Sequence, residues 1–334
     1  MSVSKLVSGV AAMPEEAKRK ISCIIGAVVA DAASLPLEWI YKDDTMTEIV
    51  GEKNPEFWPE SHCPFYTVPT GSVSCYTDEM LTTLDTLAKS DAELDISKVT
   101  AAVQAKFGSP DSPYQVALAK RAEKKYPVPG PWINGGVIKS LANMQAGTQP
   151  TGSDTCEDND GLAVCLPAYL LKYCPVQAAT TANILTTNNT AITHMKVQTQ
   201  IINNFIKGVE DPVDAAKDQF ATELPEVAKE ISDVTAAIAS GKSVKDIVAT
   251  FGKACGLPGS FQGALASILI APDFVSAVRK NILAGGDCNA RANFIGACLG
   301  AKFGIEGIPM EWIEKVTNVE TVIENTVKVF ASSK

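Results

Sequence analysis

Three short stretches of the chain gather carboxylates at or near helix ends. ADAASLPLE, residues 30–38, closes an apolar run on Asp31 and sets Glu38 after a proline turn. YTDEM, residues 76–80, puts Thr77, a natural N-cap, ahead of Asp78 and Glu79 in a predicted first turn. GGDCNAR, residues 285–291, offers Asp287 at a third helix start, where two glycines permit a tight approach. Singly, such acids serve a structural purpose, since they offset the helix dipole by about 0.3–1 kcal/mol. Brought together, the carboxylates would repel unless a cation sat among them. Oxygen donors from Asp, Glu, Thr and Asn suit magnesium or calcium rather than zinc. Such an ion orients and polarises a substrate oxygen or a water.

Other chemistries have less support. Cys288 follows Asp287, and a helix start can activate a thiol, but no histidine lies near it in sequence. There is no GxSxG motif, and His62 and His194 are the only histidines, so serine hydrolysis and a structural zinc site are both disfavoured. The nine cysteines are odd in number and form no CxxC pair, which predicts free, mostly buried thiols in a reducing compartment.

The elements that would carry the acid clusters read almost wholly as helix. Pro14-Glu15-Glu16 is a good first turn, and Ile21, Ile24, Ile25, Val28 and Val29 then recur at helical spacing. The patterning predicts helices over 14–33, 78–89, 97–107, 112–125, 135–145, 160–173, 176–187 and 190–207. It continues with 211–221, 224–240, 243–254, 259–270, 272–283, 288–303, 309–316 and 318–331. Strand signals are scarce, and residues 54–76, with four prolines and several aromatics, read as a long ordered loop. Gly26 with Ala30, Gly296 with Gly300, and Ala297 with Ala301 lie four apart and predict close helix packing. No repeat or linker divides the 334 residues, so one all-α domain is expected.

Composition excludes some partners. The net charge of −9 and only four arginines (Arg19, Arg121, Arg279 and Arg291) argue against nucleic acid and against clamped phosphates. The charge favours solubility and mutual repulsion at high concentration, where self-association remains open. The N-terminal stretch MSVSKLVSGVAAMPEE lacks a signal-peptide core. The run ISCIIGAVVADAASLPL is broken by Asp31 and reads as too short to span a bilayer. A soluble cytoplasmic protein with no membrane partner is the expectation.

GAVVADAASLPLEWI, YTDEM, THMK with His194, and GGDCNARANFIGACLGAKFGIEGIPMEWIEKV stand in order between residues 26 and 315. Together they resemble the signatures of the ADP-ribosylglycohydrolase family. The resemblance implies a single-domain, all-α orthogonal helical bundle over residues 1–334, with a two-magnesium centre in a central cleft. It would place Glu38 near substrate and metal as a catalytic candidate. It would place Thr77, Asp78, Glu79, Asp287 and Asn289 on the metals.

The chain departs from the family pattern at several of these positions. Glu79 stands for an aspartate, Asn289 for a second aspartate, and Ala290 for a Thr or Ser ligand. In DNDGLAVCLP, residues 158–167, Asn159 and Pro167 align, but Ala163 and Val164 replace Met and Arg. Those changes weigh against ADP-ribose binding and leave magnesium at most a partial site. The branch most resembled is that of the jellyfish J-type lens crystallins and selenoprotein J. It implies a refractive eye-lens protein on a drifted enzyme fold, and the alternative implied is an active magnesium-dependent ADP-ribosyl glycohydrolase.

Overall fold

The structure, a computed structural model, describes residues 1–331. Its first half carries α1 (Val3–Ala11), α2 (Glu15–Ser34), α3 (Asp43–Val50), α4 (Cys75–Lys89), α5 (Ile96–Gly108), α6 (Pro113–Lys120), α7 (Gly135–Gln145), α8 (Asp160–Lys172) and α9 (Pro175–Ala182). The second half carries α10 (Asn189–Lys207), α11 (Pro212–Phe220), α12 (Pro225–Ala239), α13 (Val244–Phe251), α14 (Gly259–Ile270), α15 (Phe274–Leu283), α16 (Cys288–Phe303), α17 (Met310–Lys315) and α18 (Val319–Phe330). Among the described residues, the only paired strands are β1 (Tyr66–Thr67) and β2 (Val128–Pro129), which run parallel. The all-α expectation therefore holds, and β1 lies in the loop expected over residues 54–76.

α2 and α16 form the centre. A Cβ on Gly26 would stand 2.3 Å from the carbonyl oxygen of Gly296, and one on Gly300 would stand 2.1 Å from that of Ser22. Only hydrogen fits at these contacts, so the two backbones touch, as the small-residue spacing predicts. Ile21, Ile24, Ile25, Val28 and Val29 of α2 are completely buried. The helix and its following turn are in fact long and apolar enough to cross a bilayer. Protein surrounds it on every side instead, which corrects the expectation that the run is simply too short. A second, smaller core of Val99, Val103, Phe107, Ile133, Val137 and Val164 knits α5, α7 and α8 together.

Several boundaries differ from the sequence expectation, each for a local reason. α1 buries Val3, Val7 and Val10 on one face, a stripe too short to register as a helix by itself. α3 opens on Asp43 and Asp44 and buries Met46 and Val50. α4 begins three residues before the expected start, so Ser74, not Thr77, holds the N-cap position. The helix expected over 112–125 tightens into a 3₁₀ turn at Arg121–Glu123. The one expected over 176–187 stops at Ala182, because the chain beyond it bonds to the 151–153 loop: Ser153 N–H donates to Leu185 and Thr187 N–H to Ser153.

Candidate functional site

The first acid pair is made by a loop clamp. Gly285 and Gly286 both take positive φ, and a Cβ on Gly286 would lie 2.2 Å from the Lys253 carbonyl oxygen. Trp39 N–H donates to Gly286 O, and Gly286 N–H donates to Ile40 O, each at 2.8 Å. That bridge brings Glu38 beside Asp287. The buried Arg291 secures the same turn by donating to Gly285 O at 2.7 Å and to Asn281 Oδ1 at 2.7 Å. Glu38 is buried and accepts a short hydrogen bond from the Tyr66 hydroxyl. Burial first, and the Asp287 charge second, push the Glu38 carboxyl well above its usual range, against the Tyr66 bond. Asp287 caps α16, its Oδ1 accepting from Ala290 N–H at 3.0 Å.

Next to this pair lies a buried polar network. Asp31 accepts from Ser74 N–H at 2.7 Å, from Ser74 Oγ at 2.7 Å and from Asn289 Nδ2 at 2.8 Å. The same Nδ2 donates to the Asp31 backbone oxygen at 2.9 Å. Both partners accept only, so the nitrogen of the Asn289 carboxamide must face them. Thr77 Oγ1 accepts from Asn293 Nδ2 at 2.8 Å. Desolvation pushes Asp31 up to about 6, with the Ser74, Asn289 and Thr77 bonds holding it from rising further.

Asp78 does not join these groups. It lies on another face of α4, where its Oδ2 accepts from the Tyr114 hydroxyl at 2.6 Å and its Oδ1 pairs with Lys106 at 3.0 Å.

Glu79 enters a third group with two acids that the sequence reading left aside, Asp158 and Asp160. The carboxamide of Asn134 bridges Asp160 Oδ1 at 2.8 Å and Glu79 Oε1 at 3.3 Å. Glu79 Oε2 and Asp160 Oδ2 are buried without a hydrogen-bond partner. Asp160 packs against the first turn of α7, where a Cβ on Gly136 would fall 2.0 Å from its Oδ2. Burial leads, and neighbouring carboxylates add, in raising all three: Asp158 acts on Glu79, Asp160 on Asp158, and Glu79 on Asp160. Two acids flanking Asn159 at the start of a helix were the available signal. Asn159 itself donates to Ala290 O at 2.8 Å and accepts from Gln198, steadying the first turn of α16.

The donor set does not fit a pair of magnesium ions. Magnesium asks for converging, free oxygens in near-octahedral array. Asp31 is held by three protein donors, Thr77 is bonded to Asn293, Asp78 is turned to Lys106, and Ala290 has no oxygen to give beyond its backbone, while the unpartnered oxygens of Glu79 and Asp160 lie in the separate group around Asn134. The N–H of Asn289, carrying partial positive charge, stands against Asp31 as a cation would. Among the described residues no three His, Cys, Asp or Glu side chains assemble as a metal cage. Two acid groups remain for proton chemistry: the Glu38–Asp287 pair, a carboxyl with raised affinity for its proton beside a capping carboxylate, and the buried Glu79–Asp158–Asp160 group.

The remaining candidates are structural. Cys288 is fully buried, and desolvation drives its thiol well above the usual range, opposite to activation. All nine cysteines are free, and six of them are buried. His194 is also buried, with Nδ1 at 2.8 Å from Thr190 O and Nε2 at 2.8 Å from Glu230.

Comparison with known proteins agrees with this architecture. Crystallin J1A of Tripedalia cystophora is 28% identical over 316 residues, covering 92% of this chain and 94% of the relative. Crystallin J1B of the same animal is 26% identical over 328 residues, covering 95% and 97%. A solved structure described as an ADP-ribosylglycohydrolase-related protein complex shares the fold, with a TM-score of 0.67 at 16% identity over 96% of this chain and 99% of that one. The model of the ADP-ribosylglycohydrolase family matches residues 13–333, and the chain belongs to that family.

Proposed function

We propose that this chain is a structural protein of the lens-crystallin type. It serves as a soluble, refractive body held at high concentration in the cytoplasm of lens cells, on a hydrolase fold whose metal centre has lapsed. The observation that carries the reading is the Asn289–Asp31 contact. A neutral amide fills the buried centre where the family pattern has an acid, and it satisfies the neighbouring carboxylate without an ion. Two similar crystallins that align along nearly the whole chain support it. The net charge of −9 keeps crowded molecules apart by mutual repulsion.

One observation favours a second reading, an ADP-ribosyl or related glycoside hydrolase. Glu38 is a buried acid with a raised proton affinity beside Asp287, the kind of group that serves as a general acid. Calorimetric titration of the purified protein with magnesium, alone and with ADP-ribose, separates the two. The crystallin reading expects no heat of binding for either at millimolar concentration. Tight binding of both, followed by turnover, would establish the hydrolase instead.

A further inference from the structure

The cavity that Asp78 faces has no place in the preceding reading. It has a volume of about 770 Å³, within the range that small-molecule sites occupy. One wall is the stripe Asp78, Leu81, Thr82 and Asp85 of α4, positions that share a helix face. Glu79 and Thr83 of the same helix turn away from it, Glu79 to Asn134 at the start of α7 and Thr83 to the Val164 carbonyl of α8. Neither Glu38 nor Asp287 lines the cavity. Its rim is fixed by backbone bonds: Thr317 N–H donates to Gly71 O at 2.9 Å, and Gly130 N–H donates to Thr67 O at 3.0 Å. Gly71 takes φ +92, and its Cβ would lie 2.2 Å from the Lys315 carbonyl oxygen, so this closure requires glycine.

We infer that this cavity is a binding site for a small neutral polyol, a sugar of one or two rings. The polar centre is an oriented carboxylate beside an ammonium: Asp78 is held by the buried Tyr114 hydroxyl and stands 3.0 Å from Lys106. Such a pair offers an acceptor and a donor side by side, which matches adjacent hydroxyl groups, each able to donate and accept. Asp85, fixed by Asn325 at 2.8 Å, adds a second acceptor on the same helix face. Val28, Val68, Val316 and Val322 with Pro129 and Pro131 give an aliphatic lining suited to the C–H face of a ring. No aromatic side chain lines the cavity to stack a base, and its single cation is already paired, which disfavours a nucleotide or a diphosphate.

The test is saturation-transfer NMR of the intact protein with methyl α-glucoside and with maltose. Leu81→Trp on α4 and Thr321→Trp on α18 fill the cavity from two helices, and Asp78→Asn removes the carboxylate. The expected result is a ring-proton signal with at least one sugar, weakened about tenfold or more in each variant that keeps the wild-type circular dichroism. ADP-ribose should leave it undisturbed. Absence of signal with both sugars at tens of millimolar would overturn the inference, as would a signal that survives both filling variants or yields to ADP-ribose.

Discussion

The carboxamide of Asn289 donates to Asp31 twice, to its carboxylate at 2.8 Å and its backbone carbonyl at 2.9 Å, joining the first turn of α16 to the end of α2. An aspartate at position 289 would set two buried carboxylates in contact. The double variant Asn289→Asp with Ala290→Thr is therefore expected to lose roughly 3 kcal/mol without divalent ions. Millimolar magnesium should restore part of that loss, while the wild type stays insensitive to magnesium and to chelator. Thermal melting with each addition decides the matter, and a double variant indifferent to magnesium would mean that the surrounding cleft no longer has room for an ion.

Contact between α2 and α16 brings backbone directly against backbone. Gly296→Ala and Gly300→Ala would each drive a methyl group to within about 2.2 Å of a carbonyl oxygen before relaxation. Each should cost about 1–3 kcal/mol or more in urea unfolding. Gly9→Ala, on α1 with nothing within 4 Å of the added carbon, should instead gain up to ~1 kcal/mol. Equal effects at the three positions would contradict the close approach.

Asp31 sets a pH dependence of definite sign. Its folded pKa of about 6 lies above the ordinary 3.8, so the folded state holds the proton more tightly than the unfolded chain. The resulting stability is full below about pH 4 and falls as pH rises through 6, by roughly 2–3 kcal/mol. Glu38, Glu79, Asp158 and Asp160 are shifted the same way and steepen the trend. Urea midpoints between pH 4.5 and 7.5 should decline in the wild type, and the decline should be shallower in Asp31→Asn. A variant as steep as the wild type would remove Asp31 from the account.

Thiol labelling reads the burial directly. Cys174, Cys156 and Cys255 are half-buried, and of these Cys156 and Cys255 have thiols pushed up by desolvation, the latter to about 12. Cys174 should react first with a maleimide under native conditions. Cys288 and the other buried thiols should label only on unfolding, and rapid native modification of Cys288 would revive it as a chemical group.

Much of the fold was legible because long helices advertise themselves by period. The spacing of Ile21, Ile24, Ile25, Val28 and Val29 leaves little choice, and Gly26, Gly296 and Gly300 mark the contact between α2 and α16. α1 and α3 escaped because eight or nine residues with two or three buried positions give too short a stretch for the period to show. Thr77 looked like a cap because Ser, Thr and Asp favour that role, yet tertiary contact through Ser74 and Asp31 moved the helix start. Acids could be read as candidates, but their partners could not. Tyr66, Tyr114 and Asn134 are neutral, distant in sequence and unremarkable in type, and they decide which way Glu38, Asp78 and Glu79 turn, as Asn293 does for the Thr77 hydroxyl. Asp158 and Asp160 lay in a stretch read for what Ala163 and Val164 had replaced.

The glycine contact between α2 and α16 has a consequence for how such a molecule changes over generations. Its backbones are joined by hydrogen against carbonyl, well below the helix ends where Asp31 and Asn289 sit. Residues that hold the two helices together are thus different from residues that once could have served a reaction. Substitution at the helix ends leaves the joint untouched, so the cleft can drift without unmaking the body. A change at Gly26, Gly296 or Gly300 has no such latitude, and selection for a durable protein would act there first.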